Sequence, residues 1–291
     1  MVRWEKAIMA FILELAKRFD KYSISFCHPD ERGIFFLGRF ENFNQPDASI
    51  VVQKRYFRVT MESSANPHLS EIISHLRSLH GNVPLHRKES KKRYTFSKLP
   101  FVEQLHIWDR LWHTENNFWL RLHAFFFLER HLKQETELRK MWPVIVAWQD
   151  QIDDWGLCDA LAKVYTKILE VMPTEVYTQL QEWNTDPNLW KRRQSLVSLL
   201  YYSRTKKTYL TFDQITWLIT PLLQDKEYYV QKGLGWTLRE LHTVYPQQTL
   251  SYLNHHIKQV SSIAFTIAIE KMNTSQKDQF KALRRLKAPS A

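Results

Sequence analysis

Glycine and cysteine are both scarce in this sequence. The 291 residues include 6 Gly and 2 Cys. So few glycines leave few tight turns, which argues against a large sheet and against a glycine-rich nucleotide loop. Cys27 and Cys158 are too few for a disulfide framework, and they lack the spacing of metal ligands. A reducing cytoplasm is therefore the expected setting.

Long apolar runs are also missing. No stretch is long enough to cross a bilayer. The N-terminal apolar run at residues 7–15 is flanked or interrupted by Glu5, Glu14 and Lys17, and no small-residue cleavage site follows it. This pattern predicts an amphipathic helix and not a signal peptide. We expect a cytoplasmic protein with no membrane-spanning segment.

Aromatic and basic residues are abundant. Aromatics make up 14% of the chain, with 11 Trp, and hydrophobic residues make up 44%, enough for a sizeable core. Lys and Arg exceed Asp and Glu by 11, which gives a pI near 9.5. Such a balance favours a polyanionic partner, namely DNA, RNA or an acidic membrane surface, without choosing among them.

From residue 100 onward the apolar residues recur at helical spacing. The pattern predicts a series of helix pairs, with Pro143 near the start of the third helix, Asp153 or Asp154 capping the fourth and Thr211 capping a later one. The predicted helices cover residues 101–112, 118–132, 135–151, 153–171, 175–183, 189–203, 211–223, 228–245, 247–259 and 262–272.

The second helices of these pairs repeat at a regular interval. Their first apolar anchors lie 33 to 40 residues apart, at Trp119, Trp155, Trp190, Val230 and Ile263. That period without intervening strands is typical of helical-hairpin solenoids such as HEAT repeats. We predict an all-α HEAT-like solenoid whose second helices line a basic concave face.

The first hundred residues are less regular. Residues 1–45 are predicted to be an N-terminal extension and residues 46–291 the repeat domain. Residues 49–60 favour a basic helix, and residues 69–79 have a clear helical period. Residues 81–93 are predicted as a loop whose lysines and arginines form either a solvated face or an arm that contacts phosphates. The tail at 281–291 is predicted to be frayed.

Trp155 and Asp159 are the first candidate functional residues. On a helix, positions i and i+4 lie on the same face, so the indole and the carboxylate would point at one spot. An aromatic face beside a carboxylate suits a target that is cationic or becomes so in a transition state. The alternative is that Trp155 is a core residue and Asp159 a solvated neighbour.

Two later helix starts carry further candidates. Lys191, Arg192 and Arg193 lie where the helix dipole disfavours cations, which suggests that an anion docks there, although a surface charge run is the alternative. The segment 229–240 places Gly233 and Gly235 inside a helix, where each costs about 1 kcal/mol relative to Ala. Glycines at such positions are expected where backbone or a ligand approaches the helix closely. Trp236 would then stand on the helix face that the two glycines leave open.

These motifs resemble one family. Trp155-x3-Asp159, then Trp190-Lys191-Arg192-Arg193, then residues 230–240 (VQKGLGWTLRE) are similar in order and spacing to the inner-helix motifs of the AlkD-like DNA alkylation-repair glycosylases. The resemblance covers residues 100–275 and is faint over 46–100. Gly156 departs from the pattern, because the family often has an acidic residue directly after the first Trp.

The resemblance implies a DNA glycosylase that hydrolyses the N-glycosidic bond of cationic purines alkylated at N3 or N7 in duplex DNA. It implies that Trp155 and Trp236 pack against the deoxyribose and that Asp159 is the catalytic carboxylate. Arg193 would hold a backbone phosphate, with Arg192 as its substitute. The remaining basic residues of the motifs are assigned to DNA binding as well, namely Lys191, Lys232 and Arg239.

The chemistry of such a substrate agrees with these residue types. A cationic base leaves without a general acid, so one carboxylate can stabilise the oxocarbenium-like sugar and position water, unlike the carboxylate pair of ordinary glycosidases. We expect no metal, no cofactor, no membrane partner, and a monomer. Two alternatives stay open: a non-catalytic HEAT-like module that binds damaged or branched DNA, and a protein-interaction scaffold.

Overall fold

A computed structural model of the chain describes residues 67–286. These residues form thirteen α-helices and four short 3-10 helices, with no strand among them. The predicted all-α class is therefore confirmed. The helices are α1 (Pro67–Arg77), α2 (Val83–Glu89), α3 (Phe101–Thr114), α4 (Phe118–Glu129), α5 (Glu135–Ile145), α6 (Trp155–Val171), α7 (Pro173–Asn184), α8 (Leu189–Val197), α9 (Phe212–Ile219), α10 (Tyr228–Val244), α11 (Pro246–His256), α12 (Ser262–Ala268) and α13 (Thr274–Leu286).

From α3 onward the helices stack as pairs. We call α4, α6, α8, α10 and α12 the inner helices, because each one packs on the next along the series. The outer helices α3, α5, α7, α9 and α11 pack on the inner helix beside them. Each pair buries its apolar face only by stacking on its neighbours, which is the arrangement of a helical-repeat solenoid. The predicted helical-repeat architecture is confirmed, and the basic concave face stays a prediction.

Polar caps fix where the inner helices begin. The Asp154 side chain accepts hydrogen bonds from the backbone N–H groups of Gly156 and Leu157, at 2.7 and 3.2 Å. Asn117 caps α4 in the same way, and Asn188 caps α8. Such caps satisfy donors that a helix start leaves unpaired. Thr211 caps α9, as predicted from the sequence.

Gly233 and Gly235 let α10 lie close to both of its neighbours. A Cβ added to Gly233 would lie 3.2 Å from Arg193 Nη1 and from Val197 on α8. A Cβ added to Gly235 would lie 2.7 Å from the carbonyl oxygen of Ala264 on α12. The sequence indicated that either backbone or a ligand approaches these glycines. The close approach of the neighbouring helices α8 and α12 accounts for both of them.

Two predictions about prolines and loops are wrong. Pro143 lies near the end of α5, not near its start, and the chain continues from there as a 3-10 helix over Val146–Gln151. Residues 81–93 are not a plain loop, because Asn82 caps the short helix α2. Pro84 stands in the first turn of α2, where its missing N–H would have no helical partner in any case.

Several predicted helix ends are also wrong, because α4, α9, α11 and α12 end at Glu129, Ile219, His256 and Ala268, three or four residues before the predicted ends. Helix α8 ends at Val197, and it cannot continue to Ser203 because Tyr202 has a left-handed backbone and the Ser203 N–H bonds to buried Glu240. The tail is not frayed over 281–286, which belong to α13. Helix α13 buries Phe280, and Arg284 donates to the carbonyl oxygen of Val260 at 2.8 Å.

Several predictions fall on other parts of the chain. The expected N-terminal extension at 1–45, the basic helix at 49–60 and the last five residues of the predicted tail lie outside the described residues. The boundary between residues 45 and 46 stays a prediction. Within residues 67–286, no helix is both long and apolar enough to span a bilayer.

A histidine pair is buried between α2 and α4. His86 Nδ1 and His123 Nε2 share a hydrogen bond of 3.1 Å, and the His86 ring stacks on Trp119 with centroids 4.0 Å apart. Both rings are at most 2% exposed. Burial lowers the pKa of His86, and burial together with the His86 charge lowers the pKa of His123 to about 3.

We expect this pair to make the fold acid-sensitive. Both folded-state pKa values lie below the ordinary 6.5, so the unfolded chain binds more protons once the pH falls below that value. The free energy of unfolding should then decrease by up to about 1.4 kcal/mol per pH unit for each histidine. Urea unfolding between pH 7.5 and 5 should show a shallower decrease in the double variant His86→Phe, His123→Leu. Equal slopes in the two proteins would contradict the expectation.

The glycines of α10 give a second stability prediction. Gly235→Ala should lower the free energy of unfolding by about 1 to 3 kcal/mol, because the new methyl group would meet backbone of α12 that cannot move aside. Gly233→Ala is the matched variant, because its methyl group meets only side-chain atoms, those of Arg193 and Val197 at 3.2 to 3.3 Å, which need to shift by a few tenths of an ångström. A gain in helix propensity of about 1 kcal/mol should offset that contact. Equal urea midpoints for the two variants would refute the packing argument.

Candidate active site on the inner helices

Trp155 and Asp159 lie one turn apart at the start of α6. The Trp155 side chain is 53% exposed, whereas the Asp159 side chain is 18% exposed. The core interpretation of this pair is therefore wrong in both parts, since the indole faces solvent and the carboxylate is mostly buried. A large exposed indole beside a sheltered carboxylate is an unusual surface for a folded domain.

Arg193 of α8 holds the Asp159 carboxylate. Its Nη2 donates to Asp159 Oδ1 at 2.6 Å, and its Nη1 donates to the backbone oxygen of Tyr229 at 2.6 Å. The guanidinium thus joins α6, α8 and the start of α10. Arg193 is 4% exposed, and Gly233 on α10 leaves the space that it occupies.

The surroundings of Asp159 change its acidity. Burial raises the pKa of the Asp159 carboxyl above its ordinary value, the Arg193 charge and hydrogen bond oppose that rise, and Asp154 adds to it. Asp159 Oδ2 accepts no hydrogen bond from any described residue. The carboxylate therefore has one oxygen fixed by a guanidinium and one oxygen available to a ligand or to water.

Aromatic side chains gather around Trp236. Trp236 of α10 is partly buried, and its ring lies 5.1 Å from the Tyr201 ring and 5.9 Å from the Tyr202 ring. Burial raises the pKa of the Tyr201 phenol, and the charges of Tyr202 and Asp159 raise it further, which places Tyr201 within electrostatic reach of Asp159. Tyr201 packs on Trp236, and the sequence had given no signal for it.

Two of the predicted DNA-binding cations, both at the start of α8, form ion pairs with carboxylates of the protein itself. Lys191 Nζ lies 2.8 Å from Asp150 and 3.2 Å from Asp186. Arg192 Nε donates to Asp225 at 2.7 Å, and its Nη1 donates to the backbone oxygens of Asp186 and Pro187. These contacts tie α8 to the loops around it. The DNA-binding roles of both residues stay predictions.

The two predicted cations of α10 differ in whether they form an ion pair. Arg239 Nη1 lies 2.5 Å from Glu270, with Glu240 also near. Lys232 is exposed, and its Nζ lies 5.2 Å from the centre of the Tyr228 ring, a cation–π contact. Within residues 67–286, Lys232 is the member of the predicted set that makes no ion pair with a carboxylate.

A second carboxylate network lies further along the inner helices. Glu129 of α4 accepts hydrogen bonds from Arg87 of α2 and from Lys163, which lies one turn after Asp159 on α6. These bonds lower the pKa of the Glu129 carboxyl against the opposing effect of burial. Arg87 thus anchors the basic helix α2 to the inner helices, while Lys88 and Lys91 remain exposed.

No metal site accompanies these residues in the described part of the chain, where no group of three or more His, Cys, Asp or Glu side chains is arranged to hold an ion. Cys158, next to Asp159 in the sequence, is fully buried and its thiol lies 3.1 Å from the Gln194 side chain. Burial raises the pKa of the Cys158 thiol to about 12, which makes it a poor nucleophile.

Comparisons with known proteins bear on the same region. Solved structures similar to this chain include AlkD2 from Streptococcus mutans, with 14% identity, a TM-score of 0.47 and coverage of 76% of this chain and 98% of that one. The protein smu.31 from Streptococcus mutans UA159 is similar at 14% identity and a TM-score of 0.48, over 75% and 97% of the two chains. A "predicted DNA alkylation repair enzyme" from Enterococcus faecalis has 17% identity and a TM-score of 0.49, over 72% and 97%.

Sequence comparisons give one family. No curated protein matches this chain. The model of the family described as "DNA alkylation repair enzyme" matches residues 48–272, which is well over half of the chain and includes Trp155, Asp159, Arg193 and Trp236. The protein therefore belongs to the DNA alkylation repair enzyme family.

Proposed function

We propose that this protein is a DNA glycosylase that releases cationic purines alkylated at N3 or N7 from duplex DNA. The observation that carries the proposal is the Asp159 carboxylate, which is mostly buried, fixed by Arg193 and set one helical turn from the exposed Trp155. Family membership supports a role in DNA repair. The residues of this site supply the chemistry.

An alkylated purine is already a good leaving group. Alkylation at N3 or N7 gives the base a positive charge, so the glycosidic bond can break without a general acid. The remaining demand is to stabilise the positive charge that develops on the sugar and to direct a water molecule to C1′. A single carboxylate meets both demands, and its effect is larger in a site from which water is partly excluded.

The geometry of Asp159 suits this task. Arg193 fixes Oδ1, which leaves Oδ2 free to face the sugar or a water molecule. Burial raises the pKa of the Asp159 carboxyl, and the guanidinium opposes that rise and so favours the ionised form. Arg193 is thus a positioning residue for Asp159, a role that differs from the phosphate contact predicted from the sequence.

Aromatic faces would complete the sugar site. The exposed indole of Trp155 offers a flat surface one turn before the carboxylate, and Trp236 lies beyond Tyr201. Aromatic faces attract cationic groups by about 0.5 to 2 kcal/mol. We therefore propose that the two indoles hold the deoxyribose on either side of Asp159, so that its cationic form is stabilised in the transition state.

Asp159→Asn tests the catalytic assignment. It should keep the affinity for DNA while base release from a duplex with one N7-methylguanine falls at least ~100-fold, because a neutral amide cannot stabilise the charged sugar. Single-turnover release of the base is the measurement. Asp213→Asn on the outer helix α9 is the matched control and should act like the wild type. Release by Asp159→Asn at the wild-type rate would disprove the role of Asp159.

The salt dependence of DNA binding tests Arg193. If Arg193 contacts a phosphate, Arg193→Gln should reduce the slope of log affinity against log salt by about 0.9. The contacts of Arg193 with Asp159 and Tyr229 support the other result, an unchanged slope with slower base release. Arg110→Gln, an exposed arginine on the outer helix α3, is the control. A slope reduced in Arg193→Gln but not in the control would assign the phosphate to Arg193.

A module that binds damaged or branched DNA without excision is the second candidate. The net charge of +11, the exposed Lys88 of α2 and the exposed Lys91 just after that helix serve that function equally well. A pure binder, however, has no use for a desolvated carboxylate beside an exposed indole. Tight, salt-dependent binding of the N7-methylguanine duplex with no base release by the wild type would establish this candidate in place of the glycosylase.

A further inference from the structure

Tyr202 has an unusual backbone conformation. With φ at 45° and ψ at 66°, it is the residue other than glycine with positive φ in the described part of the chain. A bulky side chain rarely adopts this left-handed region, and such outliers persist only where the surrounding contacts hold them. We call Tyr201, Tyr202 and Ser203 the corner. Contacts from the surrounding structure must hold its backbone in this conformation.

A buried carboxylate holds the corner. Glu240 of α10 is 2% exposed, and its Oε2 accepts hydrogen bonds from the Ser203 backbone N–H at 3.1 Å and from the Ser203 hydroxyl at 2.7 Å. Lys271 donates to the other oxygen of Glu240 at 2.8 Å, and the Tyr209 hydroxyl donates to the backbone oxygen of Ser203 at 2.9 Å. These bonds fix the backbone directly after Tyr202.

The corner presents an aromatic ring to solvent. The Tyr202 side chain is 56% exposed, although it lies edge to face with Tyr201 at 4.7 Å and with Trp236 at 5.9 Å. The ring is thus backed by the rings of Tyr201 and Trp236. A strained backbone that exposes a large ring beside a proposed active site indicates a binding role for that ring.

The charges next to the corner point to the class of ligand. Arg204 and Lys207 are exposed and make no ion pair with any carboxylate of residues 67–286. An exposed aromatic ring with unpaired cations close by in the chain is a combination that suits nucleic acids, because the ring can stack on a base while the cations meet phosphates. An acidic or purely apolar partner would not use both features.

We propose that Tyr202 stacks on a nucleotide of the duplex that has lost its own stacking partner at the lesion. This inference rests on the proposed function, since it places that nucleotide beside the sugar site formed by Trp236 and Asp159. Stacking there would hold the distorted duplex open while the base is released. Glu240 is the positioning residue for this contact, because it holds the corner that carries the ring.

Binding to two duplexes tests the proposal. One duplex carries a tetrahydrofuran abasic site opposite 2-aminopurine, and the other is intact. Tyr202→Gly removes the ring and tolerates positive φ, so the fold should be retained. It should bind the abasic duplex ~10-fold more weakly than the wild type and the intact duplex equally well, because stacking of one base is lost. Tyr202→Phe keeps the ring and should bind as the wild type does.

A matched control and a second readout complete the experiment. Trp217→Ala removes an aromatic ring that is 54% exposed on the outer helix α9, and it should leave both affinities unchanged. The wild type should alter the fluorescence of 2-aminopurine when it binds, and Tyr202→Gly should not. Equal affinity of Tyr202→Gly and the wild type for the abasic duplex, with the same fluorescence change, would overturn the proposal.

Base release separates this proposal from the one on which it rests. If the glycosylase function fails, the wild type releases no N7-methylguanine, whereas the effect of Tyr202→Gly on the abasic duplex persists. If the stacking role fails, the wild type releases the base and Tyr202→Gly binds the abasic duplex normally. Glu240→Gln should mimic Tyr202→Gly in binding, because a neutral amide holds the Ser203 corner less firmly.

Discussion

The contact between Arg193 and Asp159 is the interaction on which the site depends. One guanidinium joins a carboxylate of α6 to a backbone oxygen at the start of α10, so three inner helices meet at a single side chain. Breaking such a buried pair leaves an uncompensated charge, which typically costs 3 to 5 kcal/mol. The solenoid is therefore stabilised at the same place where its proposed chemistry occurs.

Close helix packing makes this contact possible. Without a side chain at Gly233, the Arg193 guanidinium has room between α8 and α10, and without one at Gly235, α10 can approach the backbone of α12. The length of the arginine and the spacing of the helices are thus matched. The same α10 carries Trp236 and Glu240, so the aromatic rings and the Ser203 corner take their positions from it.

The sequence predicted the helix pairs and the motif residues, because helical periodicity and capping residues are local signals. Asp154 and Thr211 begin their helices as expected. The sequence did not predict that Trp155 is exposed while Asp159 is buried, or that Arg193 turns inward, because these depend on how distant helices pack. The corner at Tyr202 was also missed, since no glycine marks its positive φ and its support comes from Glu240, 38 residues later.

The pKa of the Asp159 carboxyl tests the central claim most directly. It can be measured by carbon-13 NMR on protein labelled at the aspartate carboxyl groups, with Asp159→Asn to assign the signal. A mostly buried carboxylate held by one guanidinium should titrate above 3.8, and higher still in Arg193→Gln, where the opposing charge is gone. A pKa at or below 3.8 that Arg193→Gln leaves unchanged would show a solvated carboxylate and contradict the account.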